Sequence, residues 1–226
     1  MNKNRIKFIG IKSVAAVLAP VLIIGEKVFN SISRVAFFLW GIGNNICYLP
    51  KLKWESLETK KTLKEGGNIL IANHTSHKDG SFLPHVLGID KTVVLVTRKW
   101  YDKPALNLFF KALNYIPINL EETDTEWEEK AKTALESGMN VLIFPEGKLS
   151  EDGTLGEFLP GFLLLARHTG AKVIPIAVSG GYQMFKRQTV KIGNPVDFDA
   201  TQKGRPSVIL KKGAEICKEK IQKMMD

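Results

Sequence analysis

Cysteine is scarce in this sequence: two in 226 residues, Cys47 and Cys217, far apart and near opposite ends. No Cys-x-x-Cys pair or Cys/His cluster occurs, which argues against a structural zinc site. Two free thiols in a reducing compartment are the default expectation. No apolar run reaches the roughly 20 residues that a single membrane-crossing helix needs. There is no internal repeat and no low-complexity tract, so solenoids and fibrous arrays are set aside. No Gly-x-Ser-x-Gly elbow announces a serine hydrolase. No recognisable nucleic-acid-binding module is present either.

What is present is an ordinary globular composition, 44% hydrophobic and 24% charged, with core enough for one large domain or a domain plus an appendage. Lys and Arg number 32 against 23 Asp and Glu, a net charge of +9. Such a balance favours anionic partners: nucleic acid, an anionic membrane face or a phosphorylated substrate.

The chain opens on Lys3, Arg5, Lys7 and Lys12, followed by an uncharged, mostly apolar run from Ser13 to Gly25. A basic start before a short apolar stretch also fits a secretory signal, although Glu26-Lys27 follows with no small-x-small cleavage site. A second uncharged run extends from Val35 to Pro50 and carries Phe37, Phe38, Trp40 and Tyr48. The two runs read as a pair of short helices. They are either core helices or helices lying in one membrane leaflet, with the basic start on anionic headgroups and the aromatic residues at the interface.

From residue 51 the pattern changes to alternating strands and helices. Strands are expected at 52–57, 68–72, 92–96, 115–118, 140–144 and 172–178, with an edge strand at 189–192. Helices are expected at 79–88, 104–114, 121–137 and 162–169, then 205–225, and residues 60–67 read as a basic turn. This predicts an α/β fold with a largely parallel sheet covered on both faces, preceded by an N-terminal membrane-associated two-helix segment. Residues 1–50 form that segment and 51–226 the second domain.

Three stretches follow predicted strands directly, and a parallel sheet would bring all three to one edge. The first is Asn73-His74-Thr75-Ser76-His77-Lys78-Asp79. A neutral imidazole takes a proton from a hydroxyl, and a carboxylate on its other nitrogen fixes the tautomer. His74 and Asp79 suit that pairing. Ser76 is open to two readings, an acylated nucleophile or a helix N-cap with Asp79 completing a capping-box pattern. His74, His77 and Asp79 are also metal-ligand types, although no further ligand cluster accompanies them.

The second stretch is Phe144-Pro145-Glu146-Gly147-Lys148-Leu149-Ser150. Glu146 suits substrate hydroxyls, Gly147 permits close backbone approach, and Lys148 suits a phosphate. The third is Arg98-Lys99, two cations at a strand end. Taken singly, each is equally an ordinary solvated turn.

These residues resemble a known family. Asn73 to Asp79 resembles the NHxSxxD form of the HxxxxD motif of glycerolipid acyltransferases. Phe144-Pro145-Glu146-Gly147 resembles the start of that family's FPEGTRS motif. Tyr115-Ile116-Pro117-Ile118 is similar to its G-x-IPVDR block, and Val173-Ile174-Pro175-Ile176-Ala177 to its final VxPVAI-like motif. The order and spacing also fit, over about residues 52–180, and the likeness is greatest to 1-acylglycerol-3-phosphate acyltransferases.

The resemblance implies direct acyl transfer from acyl-CoA or acyl carrier protein to a lysolipid hydroxyl. His74 is then the general base and Asp79 its orienter. Glu146 and Gly147 shape the acceptor site, and Ser76 is a structural cap. Arg98 falls where the family has a phosphate-contacting lysine, and Lys99 and Lys148 are further substrate-binding candidates. Strand 92–96 and helix 104–113 are candidate walls for an acyl tunnel. No metal or cofactor is implied, the partners are membrane lipids and not nucleic acid, and the expected location is the cytoplasmic face of a membrane.

Two departures stand out. The family's FPEGTRS threonine and arginine are Lys148 and Leu149, and the aspartate and arginine of IPVDR are Asn119 and Leu120. A leucine does not replace a bidentate guanidinium. The departures leave open an acceptor other than lysophosphatidic acid. They also leave open a non-catalytic, lipid-binding protein with a degenerate site.

Overall fold

Ile69–Ala72 (β2) is apolar at every position and fully buried. A strand of that kind needs cover on both faces, and it occupies the centre of the sheet. The computed structural model describes residues 27–29, 31–36, 38–44, 46–89, 91–120, 125–150, 153–179, 181–197 and 205–226. The apolar run 13–25 lies outside these residues, as does the start of the helix expected at 121. Described positions between 27 and 48 are all helical (α1).

Among the described residues seven strands form the sheet, in the order β1-β7-β6-β2-β5-β3-β4. They are Lys51–Trp54 (β1), β2, Thr92–Thr97 (β3), Ile116–Ile118 (β4), Asn140–Ile143 (β5), Val173–Ser179 (β6) and Thr189–Ile192 (β7). Every neighbouring pair is parallel except β6 and β7. The helices are α1, Leu57–Glu65 (α2), Asp79–Val86 (α3), Arg98–Tyr101 (α4), Pro104–Ala112 (α5), Glu126–Glu136 (α6), Gly161–Thr169 (α7) and Pro206–Met225 (α8).

The two-residue period of the strands sorts the core into two layers. Ile69, Ile71, Val141, Ile143 and Val173 pack with Leu135 of α6, Phe162 and Leu163 of α7, and Cys217 and Ile221 of α8. Leu70, Ala72, Leu142, Ile174 and Ile176 pack with Leu63 of α2, Phe82 and Leu83 of α3, and Tyr48 of α1. The sheet is thus covered on both faces, as the near-continuous apolar strands require.

Four expectations are corrected. The first strand stops at Trp54, and the basic stretch 60–67 is mostly helix: Ser56 caps α2, its Oγ accepting from the Thr59 amide at 3.1 Å. Glu58 in the first turn and Lys64 in the last suit the helix dipole. Thr189–Ile192 is a strand, but an interior one, because β1 pairs outside it. The helix expected from residue 121 is helical from Glu126.

Candidate active site

Strands β2, β3, β5 and β6 run parallel, so their carboxyl ends open onto the same edge of the sheet. Asn73 closes β2 by pairing its side chain with β6. Its Nδ2 donates to the Val178 carbonyl at 2.9 Å, and its Oδ1 accepts from the Val178 amide at 2.7 Å. The backbone is held there while it turns toward α3.

His74 is fixed on four sides. Its amide donates to Glu146 Oε1 at 2.9 Å, and its carbonyl accepts from the Ser150 amide at 2.9 Å. Its ring stacks on Phe144 with centroids 4.2 Å apart and planes at 22°. Its Nδ1 lies 3.1 Å from Asp79 Oδ2. The carboxylate can only accept, so Nδ1 carries the proton and Nε2 presents a lone pair. The His74 side chain is 18% exposed and that of Asp79 is 0% exposed.

Asp79 is fully provided with donors. Oδ2 also accepts from the amides of Thr75 at 2.7 Å and Ser76 at 2.8 Å, and Oδ1 accepts from the Tyr182 hydroxyl. Burial, with the charge of Asp79 beside it, pushes the Tyr182 phenol well above the ordinary tyrosine range, so it remains a donor. The Tyr182 ring lies edge-on to Phe82 at 5.2 Å and to Tyr48 at 5.3 Å. Tyr48 in turn contacts the Lys78 ammonium through its hydroxyl. Tyr182 and Lys78 were not singled out by the sequence, and Tyr48, expected at a membrane interface, is instead buried in the core. Tyr182 is 103 residues from Asp79, and the only hint is that it follows another strand of the same parallel set.

The other predicted site residues divide. Ser76 accepts from the Lys78 amide at 3.3 Å and donates its own amide to Asp79, one turn ahead of α3, whose N-cap is Lys78. Glu146, expected to meet substrate hydroxyls, is instead buried. Its Oε1 is taken by the His74 amide and its Oε2 by the Gly156 amide at 2.8 Å. It ties the His74 turn to the loop before α7. Gly147 has φ +68, and a Cβ there would fall 3.1 Å from Leu159 and 3.2 Å from Leu120. The turn therefore needs glycine both for its dihedral and for its space.

Lys99 and Lys148 are exposed. Arg98 opens α4 and pairs with Glu126 of α6 at 2.9 Å. The His77 ring lies 4.7 Å from that of Trp100. Among the described residues no group of three His, Cys, Asp or Glu side chains is arranged to hold a metal ion.

Two cavities lie at the opposite, amino ends of the strands. One, of about 380 Å³, includes Val93, Tyr115 and Met139; the other, of about 520 Å³, includes Phe38, Thr92, Ala112 and Leu113. Neither is lined by His74.

Residues 52–179 match the family profile described as Acyltransferase. The chain is 26% identical over 159 residues to a 1-acyl-sn-glycerol-3-phosphate acyltransferase of Limnanthes alba, covering 67% of this chain and 54% of that protein. A protein of the same description from Cocos nucifera is 28% identical over 130 residues, covering 55% of this chain and 41% of the relative. The chain spans about half the length, or less, of the curated relatives it matches. Among solved structures, the 1-acyl-sn-glycerophosphate (LPA) acyltransferase PlsC of Thermotoga maritima superposes with a TM-score of 0.57. The match covers 88% of this chain and 79% of that one at 23% identity, which speaks to the fold.

Proposed function

Starting from a chain that belongs to the acyltransferase family, we propose that it moves a fatty acyl group from acyl-CoA or acyl carrier protein to the hydroxyl of a lysophospholipid, with His74 as general base oriented by Asp79. The observation that carries this reading is the 3.1 Å contact from His74 Nδ1 to Asp79 Oδ2, which leaves Nε2 as the free acceptor.

In this reading Nε2 takes the acceptor's hydroxyl proton as its oxygen attacks the thioester carbonyl carbon. The tetrahedral intermediate collapses, the carbon–sulfur bond breaks, and His74 returns the proton to the departing thiolate. No acyl-enzyme forms, so Ser76 has no nucleophilic part. Asp79 steadies the imidazolium between the two steps. Phe144 holds the ring plane, and Glu146 holds the backbone of His74. Gly147 lets the acceptor approach, and Arg98, Lys99 and Lys148 supply positive charge for its phosphate.

We assign residues 1–50 to seating the protein on a membrane, at the cytoplasmic face, and 51–226 to catalysis. Support comes from α1. Val28, Ile32, Val35, Leu39, Ile42 and Ile46 recur at helical spacing and are all exposed. Ser33, Gly41, Asn44 and Tyr48, on the other side, are buried against the domain. A helix that shows its apolar stripe outward is suited to a bilayer interface. Among the described residues no helix is long and apolar enough to cross a membrane.

The test is acyl transfer by purified protein from labelled acyl-CoA and acyl carrier protein to a panel of lysolipids, with His74→Ala alongside. Loss of roughly 10³-fold or more in kcat is expected for the variant. Transfer that survives it removes His74 as the base. A second reading, a lipid-binding protein without catalysis, is favoured by Leu120 and Leu149, and it predicts no transfer to any acceptor.

A further inference from the structure

The turn between β6 and β7 presents Met184 and Phe185 to solvent, 61% and 69% exposed. Two exposed cations, Lys186 and Arg187, follow directly. The turn is not loosely held. The Gln188 side chain, itself buried, accepts from the Tyr182 amide at 3.1 Å, and the Lys186 amide donates to the Gln183 carbonyl at 3.1 Å. The Phe185 amide donates to the Cys47 carbonyl at 2.6 Å, and the Gln188 amide to the Tyr48 carbonyl at 2.9 Å. Those carbonyls belong to the last turn of α1, so the 182–188 turn caps that helix. It therefore stands beside the end of the exposed stripe, where Ile46 is also exposed. Lys51, on the neighbouring edge strand, is exposed as well and donates its amide to the Gln188 carbonyl at 2.8 Å.

A rigid turn that holds two large apolar side chains in water gains nothing for the fold from them. Beside an anionic bilayer the same arrangement is favourable: the apolar pair leaves water and the cations meet lipid phosphates. We propose that residues 183–187 form a second membrane contact beside α1. Met184 and Phe185 enter the interface of an anionic bilayer, while Lys186, Arg187 and Lys51 lie among its headgroups. This rests on the reading of the protein as membrane-borne. The contact has a consequence for the site, because Tyr182 at the base of the turn donates to Asp79. Seating the turn on the bilayer steadies the donor that completes the catalytic carboxylate.

The experiment uses the full chain and vesicles of phosphatidylcholine with or without phosphatidylglycerol, measured by flotation. Met184→Ser/Phe185→Ser is expected to lower the partition constant about tenfold on both vesicle types, and Phe185→Trp to retain it. Lys186→Glu/Arg187→Glu is expected to abolish the preference for phosphatidylglycerol. Leu39→Ser/Ile46→Ser reports on α1 separately. If that pair weakens binding and the Met184/Phe185 pair does not, the α1 reading stands and the turn proposal is overturned. If the reverse holds, the turn is supported and the α1 reading falls. Wild-type protein that does not bind vesicles overturns both. Unchanged partition in the turn variants also overturns the proposal when they alter self-association, which assigns the patch to a second copy. The same holds when they raise only the KM for acyl carrier protein, which assigns it to an acidic protein partner.

Discussion

Asp79 accepts from His74 Nδ1, the Thr75 and Ser76 amides and the Tyr182 hydroxyl, and it does so without contact with water. A buried carboxylate with those donors is stiff in position, which is what an orienting group for a base requires. Tyr182→Phe tests the part that is not local in sequence. The ring contacts with Tyr48 and Phe82 are kept, and one hydrogen bond to a charged group is lost. We expect kcat to fall about tenfold with the acceptor KM unchanged, and stability to fall by about 1.5–3 kcal/mol. A drop in stability with kcat unchanged would leave Tyr182 a packing residue only. His74 and Asp79 were legible in the sequence because one strand, one turn and one helix start hold both. Tyr182 was not, because only the order of strands in the sheet brings it there. Glu146 was legible as important but not in its part, since nothing local says that the Gly156 amide lies within reach of its second oxygen.

Elements with strong apolar runs were legible, and those whose signal is mostly polar were not. β2, β3, β5 and β6 stand within a residue or two of their expected positions because burial on both faces leaves little but Val, Ile, Leu and Ala. α2 was read as a turn because it buries only Thr59, Thr62 and Leu63, too little for a helical period to show. β7 was read as an edge because its residues alternate between half-buried and buried, a pattern that does not report the strand pairing outside it. α1 carries a further lesson. Its last described residue in helical conformation, Tyr48, belongs to the N-terminal segment by sequence and to the core of the α/β domain by packing. Its ring meets Phe82 and Tyr182, and its hydroxyl meets Lys78. Tyr48→Ala is expected to cost about 3 kcal/mol, as for other large buried rings, and to lower turnover even on a monomeric acceptor. The fragment 51–226, freed of the exposed apolar stripe, carries the same loss. Denaturant unfolding and turnover on a short-chain, micelle-free acceptor measure both. A 51–226 fragment as stable and active as the whole chain would confine α1 to membrane attachment.

The molecule as a whole sets the His74–Asp79 pair at the carboxyl edge of one parallel sheet and packs α8 in the core layer that holds α6 and α7. α8 buries Cys217 completely, and burial pushes that thiol up to about 12 from 9.0. Burial raises the Tyr115 and Tyr182 phenols in the same direction. In each case the unfolded chain sheds its proton first, so stability is intact below about pH 9 and is lost as pH rises through the folded values. The thermal midpoint should fall from about pH 9 upward, and Cys217→Ala should delay the onset to about pH 10, where the tyrosines take over. An onset that does not move would show that Cys217 is not the group responsible. The same convergence of strand ends bears on the acceptor. Leu120 follows β4 and Leu159 precedes α7, yet both reach Gly147 after β5. The motifs alone marked Leu120 as a missing arginine; the sheet order is what sets it against the glycine turn. Because Leu120 is exposed, Leu120→Arg places a guanidinium at that turn without disturbing the core. If the turn lines the headgroup subsite, the new fork grips a phosphate monoester better than a phosphodiester carrying a bulky group. The ratio of kcat/KM for lysophosphatidic acid to that for a lysophospholipid with a larger headgroup should rise roughly tenfold. The change should be carried by the acceptor KM, with kcat held by the unaltered His74 and Asp79 pair. An unchanged ratio would place the headgroup elsewhere on the basic edge and return the search to Arg98 and Lys148.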